Sequence, residues 1–374
     1  MEGIEAPLAN IIEAAYALES ARSVTAAMVT AGEKPAVISA LMKYRCTEWA
    51  RKTVNDALDI HGGKGICDGP SNYLQAAYQA IPVSITVEGA NILTRSLMVI
   101  AQGALRSHPW LFKEVQALQD LDQEKGFKAF EEAFEGHVAF ATANVLGSLF
   151  QNLTFGLLAS APSARFTKRW YRQVSRASSN FALVTDITVA LLGGGLKTKQ
   201  HITGRLADAL AELYFLSAML KRFEDDGEPE RDLPVLNYCA QNMLHRFYAS
   251  LDGVLHNFPN RVVGFMLRRL VFPLGRLTHP AKDRAAKEIV RMVLQPGAVR
   301  DMLTREIYVN NDPSDPTGIL EVALAHVVQS EEANAKLERA VRDGKIRRFI
   351  NIDFIGEAVT AGIITADEGV LLRA

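Results

Sequence analysis

Helical spacing of apolar residues is the feature that most restricts the fold of this 374-residue chain. Apolar side chains recur every three or four residues along most of the sequence, and the alternation typical of strands is nowhere sustained. Between Leu206 and Phe223, for instance, leucines return at helical spacing and would line one face of a helix. The pattern therefore predicts an all-α protein.

Composition narrows the function classes. With Lys+Arg 41 against Asp+Glu 42, the formal net charge of −1 argues against nucleic-acid binding. Three scattered cysteines, Cys46, Cys67 and Cys239, suit neither a disulfide framework nor a zinc cage and fit a reduced, cytoplasmic setting. The sequence near Met1 does not resemble a signal peptide. The longest apolar run, "FALVTDITVALLGGGL", is shorter than the ~20 residues that a spanning helix needs.

Glycines and prolines divide the first part of the chain. One helix is predicted to end at the glycines of "HGGKG", and a shorter one to run from Pro70 to Ala80. Pro82 should then break the helical pattern and leave "VSIT" extended. The next helix should run from Gly89 to Leu105, and "RSHPW" (106–110) would separate two helical regions.

Glu88 stands alone between two apolar runs in "ITVEGANILTR". Desolvation raises the pKa of a carboxylate beside apolar residues, whereas a nearby helix N-terminus lowers it. Such a balance would suit a general base, and Gly89 would allow close approach of a ligand. The alternative is a carboxylate in the first helical turn that only complements the helix dipole. Spacing alone leaves both interpretations open.

The segment "DIHGGKG" (59–65) is a second candidate. Two glycines after a helix can present backbone N–H groups to an anion such as a pyrophosphate, or they can simply end the helix. The segment is not a G-x-G-x-x-G fingerprint. The chain also lacks H-E-x-x-H, C-x-x-C and G-x-S-x-G, so neither a metal site nor a serine nucleophile is predicted.

Two basic and apolar segments are candidates for contact with anionic lipid headgroups. The first contains a stripe of four arginines on one predicted helical face: Arg165, Arg169, Arg172 and Arg176. The second is "RVVGFMLRRLVFPLGR" (261–276). The ordinary alternative for both segments is a solvated or ion-paired surface.

Together, "DALDIHGGKGI" and "ITVEGANILTRSL" resemble the C-terminal helical bundle of the acyl-CoA dehydrogenases, which typically carries a "Q-I-x-G-G-x-G" turn and then a "Y-E-G-T" loop. Residues 1–114 resemble the last helices of that bundle. Residues 115–374 resemble the helical extension of the large bacterial acyl-CoA dehydrogenases. Because the family places an N-terminal helical domain and a middle β-domain before the bundle, the resemblance implies that this chain begins inside the third domain.

The resemblance implies roles for the matched residues. Glu88 would be the catalytic base that removes the α-proton of a fatty acyl-CoA, and Gly89 would contact this substrate. The turn Asp59–Gly63 would reach the FAD of a neighbouring subunit. The full set of implied FAD contacts is Asp59, Ile60, His61, Gly62, Gly63, Ala90, Asn91 and Ile92.

Three positions depart from the family pattern. Asp59 replaces the usual glutamine and places a negative charge near the FAD phosphates. Val87 replaces the tyrosine before the base, and Ala90 replaces the threonine after Gly89. The base and both glycines of the turn are kept, so the resemblance still implies the family's chemistry.

The implied activity is that of an FAD-dependent oxidoreductase acting on CH–CH groups, which forms trans-2-enoyl-CoA from fatty acyl-CoA in β-oxidation. The implied partners are an electron-transferring flavoprotein or related carrier and further copies in a homodimer or higher homo-oligomer. The implied location is cytoplasmic, with peripheral contact to the inner membrane as an open alternative. The chain alone is expected to be a poor catalyst. A rival hypothesis is a non-catalytic helical module for assembly or membrane-surface docking, supported by the arginine stripe.

Overall fold

The computed structural model describes residues 2–103, 107–162, 165–347 and 353–373. These ranges contain helices and turns but no strand, which confirms the predicted all-α class. The chain forms two compact units. Unit 1 comprises Met1–Gly62 and Ala76–Leu303, and unit 2 comprises Gly63–Gln75 and Thr304–Ala374.

The α-helices of unit 1 are, in chain order and leaving out α3, α1 (Glu2–Thr30), α2 (Ala36–His61), α4 (Gln75–Thr86), α5 (Asn91–Leu93), α6 (Leu111–Leu118), α7 (Gln123–Leu153), α8 (Lys168–Leu192), α9 (Gln200–Asp225), α10 (Leu233–His256), α11 (Arg261–Val271), α12 (Asp283–Leu294) and α13 (Ala298–Thr304). A π-helix, Thr94–Gln102, continues directly from α5. Short 3₁₀ segments occupy Gly193–Lys197 and Glu230–Asp232.

Helix α9 occupies the centre of unit 1. It packs against α1, α8, α10 and the π-helix. Its apolar side chains are buried on several sides, and Leu206, Phe215 and Leu220 are fully enclosed. A helix that is apolar around most of its circumference is stable only inside a core. The predicted leucine spacing over Leu206–Phe223 is therefore real, but the face that it buries is wider than one stripe.

Helix α4 corrects one prediction. It continues through Pro82 to Thr86, so the stretch "VSIT" is helical and not extended. An internal proline removes one N–H and leaves the carbonyl four residues earlier, here that of Tyr78, without its helical partner. None of the helix's residues is buried, so water can satisfy the unpaired groups. The predicted ends of the next helix and of the first helical region, Leu105 and Arg106, lie outside the described residues.

Helix α8, with the 3₁₀ turn after it, is long and apolar enough to cross a membrane, as is α4 taken together with Asn91–Gln102 as one bent span. The run "FALVTDITVALLGGGL" is itself shorter than a span, as predicted, but the helical segment that contains it, Lys168–Lys197, is long enough. Several α8 side chains, among them Trp170, Leu183 and Val184, are buried in the core of unit 1. A core helix satisfies the same criterion as a span.

Unit 2 has its own small core. Its helices are α3 (Gly63–Ile66), α14 (Gly318–Gln329), α15 (Glu331–Arg342), α16 (Phe354–Thr360) and α17 (Ala366–Leu371). The buried residues at its centre are Leu337, Ala340, Ile346, Ala358 and Ile364. A capping box between Thr365 and Glu368 begins α17. Lys336 on α15 reaches the Glu368 carboxylate at 2.6 Å, which ties α15 to the start of α17.

Candidate active site around Glu88

Glu88 lies in the turn between α4 and α5, with an exposed side chain. Its φ of +57° is a left-handed conformation, which only Phe155 and Glu228 share among the non-glycine residues of the described chain. This conformation costs an L-residue about 1–2 kcal/mol. It persists where the surrounding structure holds the backbone, and it is found often at functional sites. The turn therefore needs anchors, and α2 supplies them.

Lys43 on α2 is the first anchor. Its ammonium group donates hydrogen bonds to the Gly89 carbonyl at 2.6 Å, the Asn91 Oδ1 at 2.8 Å and the Ile85 carbonyl at 3.3 Å. Carbonyl groups at a helix C-terminus have no intrahelical partner, and a lysine there also complements the helix dipole. Lys43 thus closes the end of α4 and fixes the backbone on both sides of Glu88.

The buried amide of Asn91 is the second anchor. Its Nδ2 donates to the Thr47 Oγ1 at 2.8 Å and the Glu48 Oε1 at 3.0 Å, with a longer contact of 3.3 Å to the Tyr44 carbonyl. Its Oδ1 accepts from Lys43. The Asn91 side chain is therefore committed to α2, and the part of this residue that an external group could still reach is its backbone.

The Glu88 carboxylate, by contrast, has no hydrogen-bond or ion-pair partner in the described ranges. Val87, Ala90 and Ile92 beside it are exposed as well. Since α5 begins only at Asn91, Glu88 lies outside the first helical turn, and the helix-dipole interpretation does not apply. The arrangement is a fixed backbone that presents a free carboxylate among apolar side chains.

Helix α9 supports this segment from behind. The Arg95 guanidinium donates to both carboxylate oxygens of Asp208, at 2.7 and 2.5 Å. The Thr203 hydroxyl donates to the Ser96 carbonyl in the π-helix at 2.5 Å. A Cβ at Gly204 would come within 2.7 Å of the Arg95 guanidinium, so a larger residue there would displace this group. π-Helical turns are rare and concentrate at functional sites.

The predicted FAD turn, Asp59–Gly63, lies at the other end of α2. Glu48, which contacts Asn91, precedes Asp59 by eleven residues, or roughly 16 Å along a helix. Gly62 ends α2 with a φ of +58°, and a Cβ added at Gly62 or Gly63 would meet nothing within 4 Å. The Glu88 turn therefore lies beside the part of α2 that contains Lys43 and Glu48, whereas the predicted FAD turn lies at the C-terminal end of α2. Both segments are open to solvent.

The remaining residues of this turn differ in their surroundings. Asp59 is exposed, whereas Ile60 and His61 are half-buried. The His61 Nδ1 lies 2.8 Å from the Ala57 carbonyl, which is an acceptor, so Nδ1 carries the ring proton. Two cavities of the described chain, of about 820 and 580 Å³, are lined by other residues than these and Glu88.

A buried ion-pair cluster joins α1, α2, α9 and α10 and was not predicted from the sequence. The Arg246 guanidinium donates to the Glu13 Oε1 at 2.5 Å and the Glu212 Oε2 at 3.0 Å, and Arg45 also pairs with Glu212. Burial opposes the charge, but Glu212 and Glu13 outweigh it and raise the pKa of Arg246. Glu13, the acidic residue within "NIIEAAYAL", could have indicated the cluster, because it lies on an otherwise apolar helix face.

A histidine cluster in unit 1 was missed too. The Asp186 Oδ1 accepts hydrogen bonds from His108 Nε2 at 3.1 Å and His137 Nε2 at 2.9 Å, and the Glu114 Oε1 accepts from His137 Nδ1 at 2.7 Å. Burial opposes both charges, yet these hydrogen bonds raise the pKa of His137 and lower that of Asp186. His137 therefore acts as a cation between two carboxylates.

The ring atoms of His108 and His137 and the Asp186 carboxylate lie within 4.8 Å of one another, a separation that a metal ion could bridge. The His108 Nδ1, however, accepts the backbone N–H groups of Trp110 and Leu111, at 3.2 and 3.1 Å. Its proton must then reside on Nε2, where a metal would need a lone pair. This tautomer favours a hydrogen-bonded cluster over a metal site.

Two family models together match nearly the whole chain. The model for the acyl-CoA dehydrogenase C-terminal domain matches residues 2–104, and the model for the bacterial type of acyl-CoA dehydrogenase C-terminal region matches residues 105–374. The chain belongs to the acyl-CoA dehydrogenase family. The resemblance seen in the two glycine-containing segments is thereby confirmed. The junction between the matches falls inside unit 1, where α9 and α10 pack against α1.

A solved structure with a similar fold is an acyl-CoA dehydrogenase complexed with FAD from Bacillus anthracis. It aligns with a TM-score of 0.57 and 18% sequence identity over 80% of this chain. The alignment covers 49% of the solved protein, so the chain spans about half the length of that relative.

Proposed function

We propose that this acyl-CoA dehydrogenase oxidises fatty acyl-CoA thioesters to trans-2-enoyl-CoA with FAD as cofactor, in fatty-acid β-oxidation. The observation that carries the proposal is the Glu88 carboxylate. It has no partner within the described ranges, its backbone is held in a left-handed turn, and the resemblance of the segment "ITVEGANILTR" implies the role of the family's base for it. A carboxylate that stabilised the fold would be paired, whereas one kept for an external proton would not.

In the proposed reaction the Glu88 carboxylate accepts the α-proton of the thioester and becomes a carboxylic acid. A bound FAD would supply the acceptor for the β-hydrogen, which would leave as a hydride with its two electrons, while the electron pair left by the α-proton would form the double bond between the α- and β-carbons. Lys43 and Asn91 keep the backbone of the turn in place while the proton moves. Gly89 carries no side chain that could separate the base from the thioester.

The residues available for FAD are consistent with its chemistry. Gly62 and Gly63 leave the space next to their backbone free, so a flat or phosphate-bearing group could approach closely. The Asp59 carboxylate is exposed beside them and would accept hydrogen bonds from ribose hydroxyls, whereas it would repel the phosphate oxygens, which carry no proton to donate. At Ala90 and Ile92 exposed apolar groups are available to a ring system.

The proposal also requires that the Glu88 turn be covered during the reaction. The side chain is exposed, and a base for a weakly acidic α-proton works best where water is excluded. A partner surface, from further domains or from a second copy in a homo-oligomer, would supply the missing walls. An electron-transferring flavoprotein or related carrier would then reoxidise the reduced flavin.

The test uses the protein produced from its complete gene. After purification, the visible spectrum should show bound flavin, and saturated fatty acyl-CoA should bleach it while trans-2-enoyl-CoA accumulates. A matched thioether analogue lacks the carbonyl that acidifies the α-proton and should bind without bleaching. Bound flavin that no acyl-CoA of any chain length reduces would contradict the proposal.

A further inference from the structure

The second basic segment of the sequence forms helix α11 and the loop after it. The inward face of α11 is fixed by tight packing: Leu267 and Val271 are buried, and a Cβ at Gly264 would come within 2.8 Å of Phe258. Because this packing prevents the helix from rotating about its axis, the opposite face of α11 stays exposed to solvent. That outward face is available to a partner.

Bulky apolar side chains are exposed on this face of α11 and in the loop after it. Five of them are each more than half exposed: Val262, Phe265, Met266, Leu274 and Leu277. These five residues, with the arginines among them, are called the docking face below. Large exposed apolar patches are uncommon on soluble surfaces and mark sites of interaction.

The docking face is also strongly cationic. From Arg261 to Leu277 the sequence contains four arginines and no acidic residue. Arg268 is paired with Asp252 at 2.9 Å. The others, Arg261, Arg269 and Arg276, have no acidic partner in the ranges that the structure describes, and Arg269 lies over the Phe265 ring at 5.2 Å. The face therefore combines exposed apolar groups with unneutralised positive charge.

The arginine stripe is different, although its sequence is equally basic. Arg169, Arg172 and Arg176 lie on α8, whereas Arg165 lies in the turn before that helix and not on its face as predicted. Arg169 donates to Asn237 at 2.9 Å, Arg176 donates to Asn152 at 2.8 Å, and Arg165 lies 3.4 Å from Glu230. Arg172 and Arg176 are half-buried. Arg165, Arg169 and Arg176 therefore make contacts within unit 1, whereas Arg261, Arg269 and Arg276 make no such polar contact in the ranges that the structure describes.

We propose that the docking face binds the surface of an anionic lipid bilayer. Phe265 and Met266 would enter the boundary between headgroups and acyl chains, while Arg261, Arg269 and Arg276 would contact lipid phosphates. Nucleic acid is a poorer match, because single strands are bound by stacking on aromatic rings and this face offers one. The proposal does not depend on the chemistry at Glu88.

The test is co-sedimentation of the full-length protein with vesicles of phosphatidylcholine alone or mixed with phosphatidylglycerol. Binding is expected to the mixed vesicles and to weaken as salt is raised. The variant R269E/R276E should lose at least twenty-five-fold in affinity, at about fivefold for each arginine removed. The variant F265S/M266S should also bind weakly, but its remaining binding should keep its salt dependence.

Two matched controls carry the same substitutions elsewhere. R165E/R169E alters the arginine stripe, and F127S/F134S removes exposed phenylalanines of α7; both should bind vesicles like the unaltered protein. Equal losses in the controls, or no preference for anionic vesicles, would overturn the proposal. So would vesicle binding that is unchanged in the α11 variants while sedimentation velocity shows the loss of a dimer, because the face would then join two copies.

Discussion

The Glu88 turn and the buried cluster of Glu13, Arg45, Glu212 and Arg246 both rest on α2 but hold their charges in opposite ways. Each carboxylate of the cluster is buried and paired with an arginine. The Glu88 carboxylate is exposed and unpartnered in the described chain, and only its backbone is fixed. The difference separates charges that serve the fold from one for which we propose a role toward an external group.

The largest effect is expected from breaking the cluster. Arg246→Met leaves Glu13 and Glu212 buried without their shared cation, and the free energy of unfolding should fall by about 3–5 kcal/mol. Urea unfolding measures the change. The control Lys221→Met removes an exposed pair with Asp225 and should cost less than about 1 kcal/mol. Equal losses in the two variants would show that the buried cluster is not specially important.

Removing the anchor of the turn should affect catalysis more than folding. Lys43→Met removes three hydrogen bonds to the chain around Glu88. A displacement of a catalytic group by about 1 Å can slow a reaction about a hundredfold, so kcat of the holoenzyme should fall ten- to a hundredfold while KM changes less. Lys52→Met, at an exposed position on the same helix, is the control. An unchanged kcat for Lys43→Met would mean that the turn keeps its conformation without Lys43.

The histidine cluster should make stability depend on pH. Because the pKa of His137 is raised on folding, this residue stabilises the folded state fully below about pH 6.5, the pKa of an unfolded histidine. The stabilisation is lost as pH rises through the pKa of the folded state. Because the pKa of Asp186 is lowered on folding, this residue stabilises the folded state above about pH 3.9, and the stabilisation is lost as pH falls through the pKa of the folded state. His137→Gln should thus cost about 1.5 kcal/mol between these pH values and less above them.

Unfolding measured across pH tests this, with His256→Gln as an exposed control. A deficit for His137→Gln that is the same at every pH would show that the imidazole is neutral in the folded state.

The smallest effect sharpens the comparison most. Glu88→Gly relieves the left-handed strain and should stabilise the protein by about 0.5–1 kcal/mol while abolishing turnover. Glu228→Gly relieves the same strain in another loop and should stabilise equally without loss of turnover. Thermal unfolding with parallel assays separates the two. If Glu88→Gly destabilised the protein, the side chain would be a structural group.

Part of this arrangement could be predicted from the sequence, because it depends on local patterns. Helical spacing gave the all-α class, and glycines marked the end of α2 at Gly62. The course of α4 through Pro82 could not be predicted, since it depends on the helix lying in solvent. The π-helix after Leu93 likewise has no local signal in the sequence.

The motif identified Glu88, but not what holds it. Lys43 and Asn91 are 48 residues apart, and Arg95 and Asp208 are 113 residues apart, so their pairing depends on tertiary packing. The same limit applied to the two basic segments. Their compositions are alike, and only the packing of α8 and α11 decides which arginines remain free.

The central claim is that Glu88 is the proton acceptor, and single-turnover reduction of the bound flavin tests it most directly. In rapid mixing with a saturated acyl-CoA, Glu88→Gln should bind flavin and substrate like the unaltered enzyme but reduce the flavin at least a thousandfold more slowly, because an amide cannot accept the proton. Flavin reduction by Glu88→Gln at a rate within a few fold of the unaltered enzyme would contradict the claim.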